Sequence, residues 1–327
     1  MKKRILSLAL ACLMVMPLLA GCGDNNTPAA SGSDNSGDTT TYSWKMAHEE
    51  YDGDMQDVYC KEFAQKLSEK SDGRITLDIY PVGQIGDALQ QCELLQNGGI
   101  EFAIVSPGNT GTVVPENQLF SLHYLFPSDW DKTLEVLQTS EALNTMLGQK
   151  YLDKNIQVLQ YWTEGAMWWT SNKSMKDPSA FKGLKFRTMQ SPMILAAYEA
   201  YGANPTPMSY TEVYSGLQLN MIEGQENPIT ECVSNGFYDV CPYFIKTNHV
   251  YSYDMFIMDR SYFQSLPEDV QAWVEEASSY ASDWRNGVMV ESEAQQQADL
   301  EAKGNEFIEF TPEVMQEFMN AFDGFVD

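Results

Sequence analysis

Residues 183–228 have the sequence G-L-K-F-R-T-M-Q-S-P-M-I-L-A-A-Y-E-A-Y-G-A-N-P-T-P-M-S-Y-T-E-V-Y-S-G-L-Q-L-N-M-I-E-G-Q-E-N-P, and this stretch decides the fold. Its first five residues predict a strand in which apolar and cationic side chains alternate, so that Arg187 points away from the apolar face. Four residues then recur at the spacing of one helix face: Ile194, Ala197, Tyr198 and Tyr201. Gly202 is predicted to end that helix in a left-handed conformation.

The second half of the stretch predicts a stiff loop and two further helices. Two prolines in N-P-T-P restrict the loop, and Ser209 with Glu212 fits a capping box that opens the next helix. Apolar residues on one stripe of that helix are Val213, Leu217 and Met221. Asn227, which precedes a proline, is predicted as the N-cap of the second helix.

The series G-L-K-F-R, P-T-P-M-S-Y-T-E-V-Y-S-G-L-Q and E-G-Q-E-N-P resembles the signature of the DctP family, the solute-binding subunits of tripartite ATP-independent (TRAP) transporters. The resemblance continues in Y-P-V-G-Q-I-G-D, F-Y-D-V and T-N-H-V-Y and covers nearly all of the mature chain. It implies a protein that binds a small-molecule carboxylate, closes two domains on it, and delivers it to a permease of a small and a large membrane subunit. No cofactor is expected, and we expect a monomer.

The N-terminus predicts export and lipid anchoring. Three basic residues precede an apolar run over 5–19, which is too short to span a membrane as a helix and ends in L-A-G-C. We therefore expect a lipoprotein signal peptide over 1–21, lipidation at Cys22, and a flexible tether over 22–41 rich in small polar residues. The expected location is the outer face of the cell membrane, in the manner of a Gram-positive lipoprotein.

The chain is strongly acidic, with 20 basic and 46 acidic residues. Without the three basic residues of the leader, 17 basic against 46 acidic residues leave a charge of −29. Such a chain is not expected to bind nucleic acid or anionic lipid unaided. An anionic ligand needs a local positive site, which directs attention to Arg187.

Strands alternate with helices along the chain, which favours sheets covered by helices. With the resemblance, this predicts a two-domain α/β fold of the periplasmic-binding-protein type, each domain a mixed sheet flanked by helices, with a hinge and a long bracing helix. Domain I is placed at 42–164 and 253–292, and domain II at 165–252 and 293–327. Ligands are expected beyond strand ends, at the loops 48–54, 83–87 and 106–109.

The resemblance assigns the ligand carboxylate to Arg187, a hydrogen bond to Asn227 and a packing contact to Tyr210. A guanidinium suits this role because its paired donors match a planar carboxylate. Gln190 follows at the same strand end and is a further polar candidate. Many family members carry a second arginine in a G-F-R segment, where this chain has Met167 in G-A-M-W-W-T-S-N.

The missing second arginine argues against a dicarboxylate or sialic acid held by two arginines. Trp168 and Trp169 can pack in the core or face a ligand ring, and we include Trp168 as a ligand candidate. Other candidates lie in the strand-end loops: His48, Glu49, Ser106 and Asn109. A sugar acid with one carboxylate, a uronate or an aldonate, is the expected ligand, and a compact zwitterion such as ectoine is the second choice.

Cysteine and histidine usage predicts neither disulfides nor a metal site. Cys60 and Cys92 fall on apolar stripes of predicted helices, which favours buried thiols, although four mature cysteines permit disulfides: Cys60, Cys92, Cys232 and Cys241. Three scattered histidines and the absence of C-x-x-C argue against zinc. The run D-G-D-M-Q-D at 52–57 lacks the calcium-loop register and predicts a helix start instead.

Two other functional classes are a glycoside hydrolase and a solute sensor. A glycoside hydrolase would need two carboxyl groups facing each other across a bond, and the adjacent Glu49 and Glu50 are poorly placed for that. No nucleophile with its base is evident, so no catalytic residue and no enzymatic activity are predicted. A sensor that binds solute without transport is the remaining alternative.

Overall fold

The computed structural model describes residues 40–127, 129–289 and 293–326. The predicted signal peptide, Cys22 and nearly all of the predicted tether lie outside these residues. No helix among the described residues is long and apolar enough to cross a membrane.

Nine strands of the described residues form one mixed sheet in the order β2-β1-β3-β8-β4-β7-β5-β6, with β9 on β8. The strands are β1 Tyr42–Ala47, β2 Ile75–Tyr80, β3 Phe102–Val105, β4 Ile156–Ser171, β5 Lys185–Thr188, β6 Asn204–Pro207, β7 Gly224–Asn227, β8 Tyr243–Asp259 and β9 Glu306–Ile308. β1 is parallel to β2 and β3, and β5 is parallel to β6 and β7. The central pair, β4 and β8, is antiparallel.

Helices cover both faces of the sheet, as the fold-class prediction requires. They are α1 Met55–Lys70, α2 Ala88–Gln96, α3 Pro107–Thr110, α4 Trp130–Thr139, α5 Gly148–Leu152, α6 Pro192–Ala200, α7 Val213–Gln218, α8 Ile229–Ser234, α9 Arg260–Ser265, α10 Glu268–Met289, α11 Glu293–Lys303 and α12 Pro312–Val326. Short 3₁₀ turns lie at Pro115–Ser121, Pro178–Phe181, Tyr210–Glu212 and Phe237–Asp239, and a π-helical turn at Ala142–Leu147.

The protein has four apolar cores, which lie in two lobes with two cores each. Two cores flank β1–β3, which we call the first lobe, and two flank β5–β7, the second lobe. β4 and β8 contribute to both lobes, and their pairing shifts register between Thr163 and Gly165 and again between Ala166 and Trp168. Gly165 has a positive φ of 106° at this point and pairs with Ser252. The domain limits at 164 and 252 stay a prediction, and they fall at this irregularity.

Several local predictions are confirmed. The predicted stripe of α6 is buried, and Gly202 follows the helix at φ 88°. Helix α1 begins directly after Asp54, within the D-G-D-M-Q-D run. The long helix α10 buries Val270, Val274 and Ala277. All four mature cysteines are free and buried.

Three predictions in the decisive stretch are wrong. Ser209 makes no capping bond, because a 3₁₀ turn separates it from α7. Met221 is 58% exposed, since α7 ends at Gln218 and the stripe does not reach it. Asn227 ends strand β7 and its side chain caps nothing, because α8 begins only after Pro228.

Candidate ligand-binding site

A cavity lies between the two lobes, with an empty volume of about 1250 Å³ that includes its open mouth. Its wall combines the ends of β1 and β3, the middle of β4 and β8, and the ends of β5 and β7. The lobes also touch across it: the backbone N–H of Met193 donates to Gln118 at 3.1 Å, and the rings of Tyr51 and Tyr210 lie 5.9 Å apart. These contacts hold the two lobes close together at the cavity.

Arg187, near the end of β5, presents its guanidinium to the cavity although only 4% of the residue is exposed. Its Nε and Nη2 both donate to the carbonyl oxygen of Met208, at 3.1 and 3.0 Å. Burial lowers the pKa of Arg187 to about 10, so the side chain stays cationic at neutral pH. Since a guanidinium carries five N–H groups, three remain for other acceptors.

Behind Arg187, a buried polar network fixes Glu226, which follows Gln225 in β7. Its carboxylate receives a hydrogen bond from the hydroxyl of Tyr198, and Nε2 of His249 lies 2.8 Å from Oε2. On the other side of the His249 ring, Nδ1 lies 2.5 Å from the hydroxyl of Thr247. This network holds the carboxyl group of Glu226 in the cavity wall that Arg187 also lines.

The second lobe contributes Asn227 and Tyr210 to the wall. The amide of Asn227 donates to the side chain of Gln225. The hydroxyl of Tyr210 donates to Oε2 of Glu231 at 2.5 Å and accepts a bond from the amide of Asn235 at 2.7 Å. These bonds fix the side chains of Asn227 and Tyr210 in the wall.

The cavity wall is rich in carboxyl groups. Six acidic residues line it, namely Glu49, Glu50, Asp87, Glu164, Glu226 and Glu231. Oε2 of Glu49 accepts from the amide of Asn109 at 2.9 Å, while Oε1 is buried without a hydrogen-bond partner. Burial raises the pKa of Glu49 to about 7, and burial together with neighbouring carboxylates raises that of Glu50 well above its usual range. Arg187 is the one lysine or arginine among the described residues of this wall.

The structure brings most of the predicted ligand residues to this cavity. Those that line it are Glu49, Ser106, Asn109, Arg187, Gln190, Tyr210 and Asn227. Met167 lines it too, so the position of the family's second arginine faces the ligand space without supplying a cation.

His48 and Trp168 do not reach the cavity wall, in contrast to the prediction. His48 is fully buried, with Nε2 3.5 Å from Oδ1 of Asp57, and burial lowers its pKa to about 4. Trp168 packs in a core of the second lobe, 5.5 Å from the ring of Phe307. Neighbouring residues of a strand point to opposite faces, and here both faces of β4 are covered, so Trp169 enters the other core.

Several residues of the wall were not predicted from the sequence, above all Glu164, Glu226 and Glu231. The sequence offers a weak signal for one of them, because Glu226 lies inside the E-N-P motif. The three histidines are scattered in the sequence, but two of them meet in the structure. The rings of His123 and His249 lie 4.5 Å apart, next to Glu226. The absence of a metal stays a prediction.

Comparison with known proteins shows which family the chain belongs to. Residues 46–327 match the family model of bacterial extracellular solute-binding protein, family 7, named DctP. The chain is 37% identical to the ectoine-binding periplasmic protein TeaA of Halomonas elongata, over 75% of this chain and 72% of that one. It is 31% identical to the 2,3-diketo-L-gulonate-binding periplasmic protein YiaO of Escherichia coli, over 73% of each chain.

A solved structure of the ectoine-binding protein from the TeaABC TRAP transporter of Halomonas elongata aligns with a TM-score of 0.83 at 33% identity, covering 86% of this chain and 91% of that chain. The family match covers nearly the whole described chain. The alignment with the solved structure agrees with the observed fold. The chain therefore belongs to bacterial extracellular solute-binding protein family 7, the DctP family, and is the extracytoplasmic solute-binding subunit of a TRAP transporter.

Proposed function

We propose that the protein captures a small organic acid whose single carboxylate binds Arg187, and that it delivers this acid to the membrane permease subunits. One observation carries the proposal: Arg187 is the one lysine or arginine on the described cavity wall, and three of its N–H groups remain available. A bidentate pair with a carboxylate would use two of them. Asn227 and Tyr210 then flank the bound acid.

Two ligand classes fit the remainder of the cavity. A sugar acid, a uronate or an aldonate, is supported by the polar side chains of Ser106, Asn109 and Gln190, and a relative binds 2,3-diketo-L-gulonate. A zwitterion such as ectoine is supported by the carboxyl groups of the wall and by the ectoine-binding relative. A dicarboxylate or sialic acid has less support, because Met167 stands where a second cation would be.

We further propose a hinge at the register shifts of β4 and β8, where Gly165 lies. Bending there would open the lobes while each lobe keeps its own pair of apolar cores. The domain limits at 164 and 252 follow from this hinge. A ligand that touches both lobes would favour the closed form, because only that form offers all of its contacts.

The remaining proposals concern location and the absence of catalysis. We propose a lipid anchor at Cys22 after removal of residues 1–21, a tether over 22–41, attachment to the outer face of the membrane as in Gram-positive lipoproteins, and a monomer. We also propose that the protein is not an enzyme. Adjacent carboxyl groups such as Glu49 and Glu50 are poorly placed to face each other across a glycosidic bond.

The test of the carboxylate clamp is a binding screen of the purified protein, unfolded and refolded to remove bound ligand. Organic acids are titrated against wild type, Arg187→Ala and the matched control Lys185→Ala, which removes an exposed cation of the same strand. An acid that raises the melting temperature of wild type and the control, but not of Arg187→Ala, supports the clamp. Equal responses in all three proteins would contradict it.

A further inference from the structure

His123 is a residue of the cavity wall that the carboxylate clamp does not use. It follows the 3₁₀ turn Pro115–Ser121, which belongs to the first lobe, and only 4% of the residue is exposed. Its neighbours in the chain, Leu122 and Tyr124, pack against a core of the second lobe. The backbone N–H of Tyr124 also donates to the carbonyl oxygen of His249 at 2.6 Å. The segment that carries His123 is therefore fastened to the second lobe.

The imidazole ring of His123 is held by three contacts. One face stacks on the ring of Phe322, with the centroids 5.0 Å apart and the planes at 7°. The ring of His249 meets it edge-on, with the centroids 4.5 Å apart and the planes at 69°. Nδ1 lies 2.7 Å from the hydroxyl oxygen of Tyr201. These contacts fix the position and the plane of the ring before a ligand arrives.

The second ring nitrogen of His123 is open to the cavity. Within the part of the chain that the structure describes, hydrogen bonds reach this ring at Nδ1 alone. Nε2 is not among the fully buried side-chain atoms that lack a partner, so it keeps surface in the cavity that the residue lines. A polar atom in so enclosed a place is stabilised when a ligand or a water molecule supplies its hydrogen bond.

The ring of His123 is a neutral hydrogen-bonding group. Burial, with a smaller contribution from His249, lowers the pKa of His123 well below its ordinary value. A neutral imidazole carries one N–H group and one lone pair, so Nε2 donates in one tautomer and accepts in the other. A hydroxyl group suits both tautomers, because it can donate and accept. An N–H cation suits only the tautomer in which Nε2 accepts.

A metal ion is the other partner that an imidazole can take here. Ligand atoms of His123, Glu226 and His249 lie within 4.8 Å of one another. However, Nε2 of His249 already lies 2.8 Å from Oε2 of Glu226, and its Nδ1 lies 2.5 Å from the hydroxyl of Thr247. These hydrogen bonds occupy both nitrogens of His249, which favours a ligand group at His123 over a metal.

We propose that His123 is a specificity-determining residue whose Nε2 binds a hydroxyl group of the acid that Arg187 holds. This inference rests on the proposed function, because it assumes the carboxylate clamp. It adds a requirement on the ligand, a hydroxyl group at a fixed place relative to the carboxylate, which applies to a sugar acid and to a zwitterion alike. A site built to bind a hydroxyl group discriminates against an analogue that lacks it, because the polar group of the site is then left unpaired.

The test pairs each hydroxylated acid with a counterpart that lacks the hydroxyl group. The purified, ligand-stripped protein is titrated with six-carbon aldonates and uronates against hexanoate, and with 5-hydroxyectoine against ectoine; zinc chloride is added as a separate arm. His123→Phe keeps an aromatic ring and removes both nitrogens, whereas His123→Gln returns an amide near the place of Nε2. Leu125→Ala, at an exposed side chain of the same segment, is the matched control.

We expect at least one hydroxylated acid to bind wild type more tightly than its counterpart by about ten-fold or more. His123→Phe should weaken the binding of that acid by roughly ten-fold and that of the counterpart by less than about two-fold. His123→Gln should bind the acid more tightly than His123→Phe does, and Leu125→Ala should bind it as wild type does. With ¹⁵N-labelled histidine, the Nε2 signal of His123 in the wild type should shift when the acid is added. This spectrum decides the matter if His123→Phe does not fold or if the counterpart binds too weakly to titrate.

Four results would overturn the role of His123. They are a hydroxyl-free acid that binds wild type as tightly as every hydroxylated one, a loss in His123→Phe that is equal for both members of a pair or absent for both, an Nε2 signal that does not respond to the acid, and stabilisation by zinc alone that His123→Phe abolishes. In each case the clamp still stands when Arg187→Ala abolishes the binding of the acid. If no acid of either kind binds, the clamp fails as well.

Discussion

The Nη2 and Nε atoms of Arg187 lie 3.0 and 3.1 Å from one oxygen, the backbone carbonyl of Met208. Two bonds to one acceptor fix both the position and the plane of the guanidinium before any ligand arrives. Arg187 is near the end of β5 and Met208 directly follows β6, so the parallel pairing of these strands sets the distance. The clamp is thus preorganised by backbone geometry, which reduces the entropy lost on binding.

This geometry predicts that Arg187→Lys will not preserve binding. An ammonium cannot keep both bonds to Met208 and also offer a planar pair of donors to a carboxylate. We expect affinity for the carboxylate ligand to fall by roughly ten- to a hundred-fold, as for the loss of a charge-assisted hydrogen bond. Isothermal titration calorimetry measures this, with Lys185→Arg as the control. Affinity within two-fold of wild type would show that charge alone suffices.

The raised pKa of Glu49 predicts that the free energy of unfolding depends on pH. Its pKa is raised by burial from about 4.5 to about 7, so the folded state holds a proton that the unfolded state has released between these values. Stability from this group is therefore present at low pH and is lost as pH rises through 7. Glu49→Gln should behave like wild type at pH 5 and be more stable at pH 8, by up to about 3 kcal/mol. Urea unfolding at both pH values tests the sign, and a difference that does not vary with pH would contradict the assignment.

A cationic ligand group should release protons when it binds. Burial and neighbouring carboxylates raise the pKa values of Glu50 and Glu231 well above their usual range, so these groups lose their protons at a higher pH than ordinary glutamates do. A cation favours their ionised forms and lowers those pKa values. Affinity for a zwitterion should then rise with increasing pH, whereas hydroxy acids should show no such rise. Calorimetry in two buffers of different ionisation enthalpy counts the protons, and proton uptake with a zwitterion would be the opposite of the expected sign.

Gly108 lies close to Met189 of the other lobe, and we predict that a larger side chain at this position hinders closure of the lobes. A Cβ atom on Gly108 would lie 2.5 Å from Cε and 2.8 Å from Sδ of Met189, which belongs to the second lobe. The flexible methionine can yield to alanine, so we choose Gly108→Val, whose branched side chain should weaken ligand binding roughly ten-fold and lower the stability of the closed form by about 1–3 kcal/mol. Small-angle scattering should show less compaction with ligand. Gly148→Val, where a Cβ meets nothing closer than 3.7 Å, is the control.

The sequence specified the fold and the carboxylate end of the site better than the rest of the cavity. Arg187, Asn227 and Met167 could be placed because each lies in a contiguous motif whose spacing survives in three dimensions. Trp168 could not, since both faces of β4 are buried and the pattern of its side chains does not reveal which face the cavity adjoins. The pairing of β4 with β8 also shifts register beside it, which no local pattern shows.

Four buried carboxyl groups in or beside the cavity wall escaped prediction for a different reason. Glu50 follows β1, Glu164 belongs to β4, Glu231 to α8 and Asp254 to β8, so only the assembled sheet brings them together. Each of these residues alone fits an ordinary solvated carboxylate, which is the usual state of an acidic side chain. The histidines next to Glu226 follow the same rule, because His123 and His249 meet only through the tertiary fold.

The strands β4 and β8, of 16 and 17 residues, run through both lobes, and this has a consequence for folding. The two lobes share β4 and β8, and each lobe is built from segments far apart in the chain. Neither can therefore be excised as an autonomous module by cutting the chain once. Melting one lobe would strip partners from the strands that hold the other, so the folded region should denature as one cooperative unit, with calorimetric and van't Hoff enthalpies that agree.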